Sequence, residues 1–97
     1  MENKKLKDWK KYPRHGILYE GADCFWQKLI DVKSDTYADI VEWTINNKKS
    51  YSLKIQIHQD KSITGMTINI DNFSYKELNF PIIENHAKKI IRELTIN

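Results

Sequence analysis

The sequence predicts an α+β domain, an antiparallel meander of three to four strands packed by a C-terminal helix and preceded by a short N-terminal helix. Three observations carry this. Tyr51, Leu53, Ile55 and Ile57 alternate with Ser52, Lys54, Gln56 and His58 without a fault, the two-residue period of a strand with one apolar face. After Pro81, the residues Ile83, Ala87, Ile90, Ile91 and Leu94 recur at helical spacing and form an apolar stripe. The 97 residues suffice for one hydrophobic core and not for two.

Taken in order, residues 1–14 read as a basic N-terminal arm and 15–97 as a single domain. Within the arm, residues 3–11 suit a short helix with Leu6 and Trp9 on one face. Pro13 disfavours helix at Tyr12 and ends it near there. Residues 22–32 admit two readings. Ala22, Phe25, Trp26, Leu29 and Ile30 fit one face of a second helix. The turn-forming run Lys33-Ser34-Asp35-Thr36 before the next strand suits a strand equally, and helix is the preferred reading.

The meander begins at Tyr37. Tyr37, Val41, Trp43 and Ile45 share one side of a strand, with Asp39 interrupting the pattern. A turn over residues 46–50 leads into the fully alternating strand, and a further turn leads to a third strand over 63–70. Ser74-Tyr75-Lys76-Glu77 has the spacing of a capping box, and Pro81 suits the first turn of the last helix. That helix should cover one sheet face. The other face, bearing Ser52, Lys54, Gln56, His58, Thr67, Asn69 and Asp71, should stay wet unless a partner covers it.

Hydrophobic residues make up 40% of the chain and charged residues 30%, which suits a globular chain and not a disordered one. Cys24 is the only cysteine, so one chain can form neither a disulfide nor a cysteine zinc site, and a reducing, cytoplasmic location is expected. No apolar run reaches the roughly 18–20 residues of a membrane helix, and the charged N-terminus does not resemble a signal peptide. Charge is uneven. Residues 1–14 hold six basic and two acidic side chains, a net of +4, while residues 15–47 hold two basic and six acidic, a net of −4.

Catalytic and metal-binding signals are weak. His15, His58 and His86 fall in three different elements with no second ligand at metal spacing. Only Asp60 is placed to orient His58. Cys24, beside Phe25 and Trp26, reads as a buried thiol. The expectation is a non-enzyme without a cofactor.

Binding features are clearer. Lys4, Lys5, Lys7, Lys10, Lys11 and Arg14 interleave with Trp9 and Tyr12, a combination that can neutralise phosphates and stack on bases or meet an acidic protein surface. Lys54, Gln56 and His58 on the polar sheet face complete the candidate binding set. The expected partner is a protein, such as a nuclease or another defence effector; nucleic acid, bound by the basic arm of an accessory or regulatory protein, is the alternative.

The stretch from Met66 to Ile91 carries Thr67-Ile68-Asn69-Ile70, then Leu78-Asn79-Phe80, Ile82-Ile83-Glu84-Asn85 and Lys89-Ile90-Ile91. In these residues, about a quarter of the chain, it resembles the C-terminal part of small anti-CRISPR proteins of streptococcal phages. Those proteins have a longer basic N-terminal stretch; here it is short and contains Pro13. The resemblance implies an inhibitor of an RNA-guided effector nuclease, and it transfers no functional residue.

Overall fold

The computed structural model describes residues 9–13, 19–57 and 66–95. Six elements follow in order: β1 (Lys10–Pro13), β2 (Cys24–Asp31), β3 (Thr36–Ile45), β4 (Lys48–Ile57), β5 (Met66–Tyr75) and α1 (Phe80–Thr95). The strands form one five-stranded sheet in sequence order, antiparallel at every pairing. The α+β class and the meander with its C-terminal helix are as the alternation predicts.

Two elements differ from expectation. The stretch 22–32 is strand β2, not helix. It is paired on one side with β1 and on the other with β3. Cys24 and Trp26 are buried on one face and Phe25 on the other. With both faces apolar at this end, the two-residue period disappears and the run mimics a helical stripe. A four-residue turn then closes the β2–β3 hairpin, with the Asp35 N–H donating to the Val32 carbonyl at 3.2 Å. Its Asp35 takes a positive φ of 53°, a conformation that aspartate tolerates better than most residues.

The N-terminal helix expected over 3–11 is the second difference. Lys10 and Lys11 lie in β1, and residues 3–8 fall outside the described residues. Pro13 is tolerated because β1 is at the sheet edge, where a missing N–H breaks no ladder. The β3–β4 hairpin turns through Asn46 (φ 53°) and Asn47 (φ 65°). Two adjacent left-handed residues match the right-handed twist of the flanking strands.

Helix α1 starts where Asn79 caps it. The Asn79 Oδ1 accepts from the Ile82 N–H at 3.2 Å, and the Ile83 N–H donates to the Asn79 carbonyl at 3.0 Å. Such a cap stabilises a helix by about 1 kcal/mol. The expected capping box is not the start, because β5 continues through Tyr75. Phe80, Ile83, Ala87 and Ile91 are buried against Trp26, Ala38, Ile40, Leu53 and Ile55. Leu94 extends the expected stripe, but its side chain lies outside the described set. An ion pair of 2.5 Å between Lys28 and Glu84 ties β2 to the helix.

A smaller second core lies on the opposite sheet face, built from Tyr19, Ala22, Phe25 and Val41 with Tyr12 and Trp43 against it. On β3 the set that looks more apolar in the sequence thus faces away from the helix, and Ala38 and Ile40 face towards it. This second core also overturns the expectation of a wet polar face at Lys54 and Gln56, each only 9% exposed, while the side chains of His58, Thr67, Asn69 and Asp71 lie outside the described set.

Candidate functional site

The described members of the predicted binding set fall into three environments. Lys10 and Lys11 are exposed on β1. Neighbours along a strand point to opposite faces, so the two lysines straddle the sheet edge. Each lies over an aromatic ring: the Lys10 Nζ is 5.1 Å from the Tyr12 centroid and the Lys11 Nζ is 5.5 Å from that of Trp26. Tyr12 is itself stacked on Phe25 at 4.8 Å. Cation–π contacts of this exposed kind are worth about 0.5–1 kcal/mol, enough to bias where each ammonium group sits.

Trp9 is not part of an accessible surface. It is 5% exposed in the main core and packs on Phe80 at a centroid distance of 5.5 Å. The sequence places it among lysines and so suggests a stacking residue, but the pairing of β1 with β2 carries it under the helix. Its Nε1 is buried with no hydrogen-bond partner among the described residues. Lys4, Lys5, Lys7, Arg14, His58 and Asp60 lie outside the described residues.

Lys54 and Gln56 belong to a buried polar cluster centred on Asp39, which is fully buried. The Tyr19 hydroxyl donates to the Asp39 Oδ2 at 2.6 Å. The Gln27 Nε2 donates to the Oδ1 at 3.0 Å, and the Gln56 Nε2 donates to the Oδ2. A carboxylate withdrawn from water demands such donors, since burying it unpaired is very costly. The Lys54 Nζ lies 5.7 Å from the Tyr19 ring centroid. Burial and the adjacent Asp39 charge push the Tyr19 phenol far above its ordinary range, so Tyr19 is a hydrogen-bond donor at any physiological pH. The register sets Lys10, Gln27, Asp39, Lys54 and Asn69 as successive cross-strand partners, one row across all five strands. Sequence reasoning missed this cluster. Its one trace is Asp39, a charge interrupting an apolar strand pattern.

Cys24 lies at the other end of β2. Its Sγ donates to the Glu42 Oε1 at 3.5 Å, and the Tyr51 hydroxyl donates to the Glu42 Oε2 at 3.2 Å. Lys49 bridges Asp23 at 3.1 Å and Glu42 at 3.7 Å. Burial, followed by the Glu42 charge, pushes the Cys24 thiol from 9.0 up to about 11. A protonated thiol is a poor nucleophile. Alkylation of Cys24 by iodoacetamide should therefore be much slower at pH 8 than that of a thiol of ordinary pKa, and should gain rate only as the pH approaches 11. Rapid labelling at pH 8 in the folded protein would contradict this arrangement. The same raised value makes stability fall with alkali. The contribution is complete below 9.0 and is lost as the pH rises through about 11.

On α1, His86 shares a hydrogen bond between its Nδ1 and the Tyr75 hydroxyl. Burial pushes the Glu84 carboxyl upward, but hydrogen bonds from Lys28 and Lys88 outweigh it and hold the group below its ordinary range. A shallow groove of about 340 Å³ lies between the end of β5 and the start of α1, lined by Tyr75, Lys76, Glu77, Asn79 and Ile82. Among the described residues no three His, Cys, Asp or Glu side chains are grouped to hold a metal ion, and no helix is long and apolar enough to cross a membrane. No protein-family model matches the chain, and comparison with curated proteins and with solved structures finds no match.

Proposed function

We propose that this chain is a small non-enzymatic protein-binding module, an inhibitor or anti-defence protein of the anti-CRISPR kind from a phage or mobile element. It meets an acidic protein surface through the basic strand β1. The observation that supports this reading is the presentation of Lys10 and Lys11. They stand exposed on a sheet edge, each biased by a ring beneath it, so less freedom is lost on binding than from an unstructured tail. The titratable side chains around Asp39, Cys24 and Glu84 are meanwhile engaged in contacts that hold the fold together.

The test is capture with the tagged protein from bacterial lysate, with and without nuclease, followed by mass spectrometry and repeated with a Lys10→Glu/Lys11→Glu variant. A stoichiometric, nuclease-resistant protein partner is expected. The double charge reversal should weaken its capture about tenfold or more, because like charges facing each other across an interface repel, while the circular dichroism spectrum stays unchanged. Equal capture by the variant would remove β1 from the interface. Recovery that disappears with nuclease would instead identify nucleic acid as the ligand.

A further inference from the structure

The two edges of the sheet are guarded unequally. Strand β1 closes one side and β5 the other. An edge strand carries a row of backbone N–H and C=O groups outside the ladder, and proteins blunt it with short length, lysine and proline. β1 has all three, being four residues long with Lys10, Lys11 and Pro13. β5 runs for ten residues, Met66–Tyr75, with no lysine, arginine or proline and with Asp71 as its one charge.

The register divides β5 into two parts. Met66 to Ile70 pair without interruption with Ile57 to Leu53, and pairing resumes at Ser74 with Ser52. Asp71, Asn72 and Phe73 therefore form a bulge, which is itself an edge guard, and the one charge falls inside it. Before the bulge, Met66-Thr67-Ile68-Asn69-Ile70 is regular strand without a charge, a glycine or a proline. Thr67, Ile68 and Ile70 are β-branched, which suits a strand. Among the described residues no strand pairs with the outer side of β5. Helix α1 approaches the sheet most closely at β4, one strand in from this edge.

We infer that Met66–Ile70 is a self-association edge, along which two copies of this chain pair antiparallel about a two-fold axis and join their five-stranded sheets edge to edge. Three considerations select a second copy as the occupant. The segment is uncharged, so it neither attracts a charged partner nor repels itself. A strand laid antiparallel on its own copy closes after two chains, whereas β5 on the β1 of another copy would build an open array and would need the edge that lysine and proline block. The helices also fit. The two β4 strands of such a dimer stand three strand spacings apart, about 14 Å, and a helix with its side chains is about 10–12 Å across. β1 remains at each far end of the joined sheet, so the dimer does not depend on what β1 binds.

Sedimentation equilibrium over a range of concentrations tests this on the protein alone. The wild type should pass from monomer to dimer as concentration rises, and backbone amides within Met66–Ile70 should gain protection from hydrogen exchange in step. Thr67 lies beside the centre of the segment, opposite Gln56 within the sheet, so a charge placed there meets its own copy across the axis. Thr67→Lys and Thr67→Glu should each raise the dimer dissociation constant about tenfold or more, since like charges across an interface repel, with circular dichroism unchanged. Mixing the two variants should restore association to wild-type strength or beyond. The inference is overturned if the wild type stays monomeric up to about 1 mM. It is equally overturned if the dimer forms without protecting amides of residues 66–70, or if the mixture of folded variants associates no better than either alone.

Discussion

Replacing Asp39 by alanine should destabilise the domain by about 3–5 kcal/mol, the range for removing one partner from a buried charged network. A domain of this size is stable by only about 5–15 kcal/mol, so the loss is a large fraction of the whole. The cost comes from what remains behind. The Tyr19 hydroxyl and the Gln27 and Gln56 amides all donate to Asp39, and Lys54 is its direct cross-strand neighbour. Without the carboxylate these groups stay buried and lose their acceptor, and each orphaned donor costs about 1–3 kcal/mol. Asp39→Asn should be milder, since one acceptor oxygen survives while an NH₂ group is turned towards a donor. Urea unfolding followed by tryptophan fluorescence measures both. A loss below about 1 kcal/mol for the alanine variant would mean that the cluster does not hold the second face together.

Trp9→Ala should be comparably damaging, at about 3–5 kcal/mol, as expected for truncating a large buried aromatic. Trp9 is 5% exposed and packs on Phe80, which also meets Trp26 edge-on at 5.7 Å. A tryptophan in a detached arm would show almost no effect, so one equilibrium unfolding curve separates the two situations. Trp9→Phe should cost considerably less. It keeps most of the apolar contact and deletes the Nε1–H that is buried with no partner among the described residues, removing a desolvation penalty of about 1–3 kcal/mol. If the phenylalanine variant proved as unstable as the alanine variant, the indole shape and not its burial would be what the site requires.

These two residues mark where the sequence can and cannot be read. β4 was legible because its alternation is unbroken and its apolar set, Tyr51, Leu53 and Ile55, is buried under the helix. α1 was legible because its stripe of Ile83, Ala87 and Ile91 is what the core receives. β2 was not, since it is apolar on both faces at its Cys24 end and periodicity alone does not separate a doubly buried strand from a helix. The start of α1 was misplaced for a local reason. Ser74 and Glu77 have capping-box spacing, yet Ser74 remains paired with Ser52 in the sheet, and the cap falls to Asn79.

The candidate site divides along the same line. That Lys10 and Lys11 are exposed follows from their charge, whatever the element that carries them. That Trp9 is core and that Lys54 and Gln56 are covered follows from pairings between residues far apart in the chain. By itself the sequence determined the α+β class, the β3–β4–β5 meander and the C-terminal helix, because each rests on local periodicity that one solvent boundary imposes. Only the tertiary structure decided which sheet face each residue of β2 and β3 occupies, and that Asp39 is buried. A sheet covered on both sides erases the contrast between inside and outside on which sequence patterns depend.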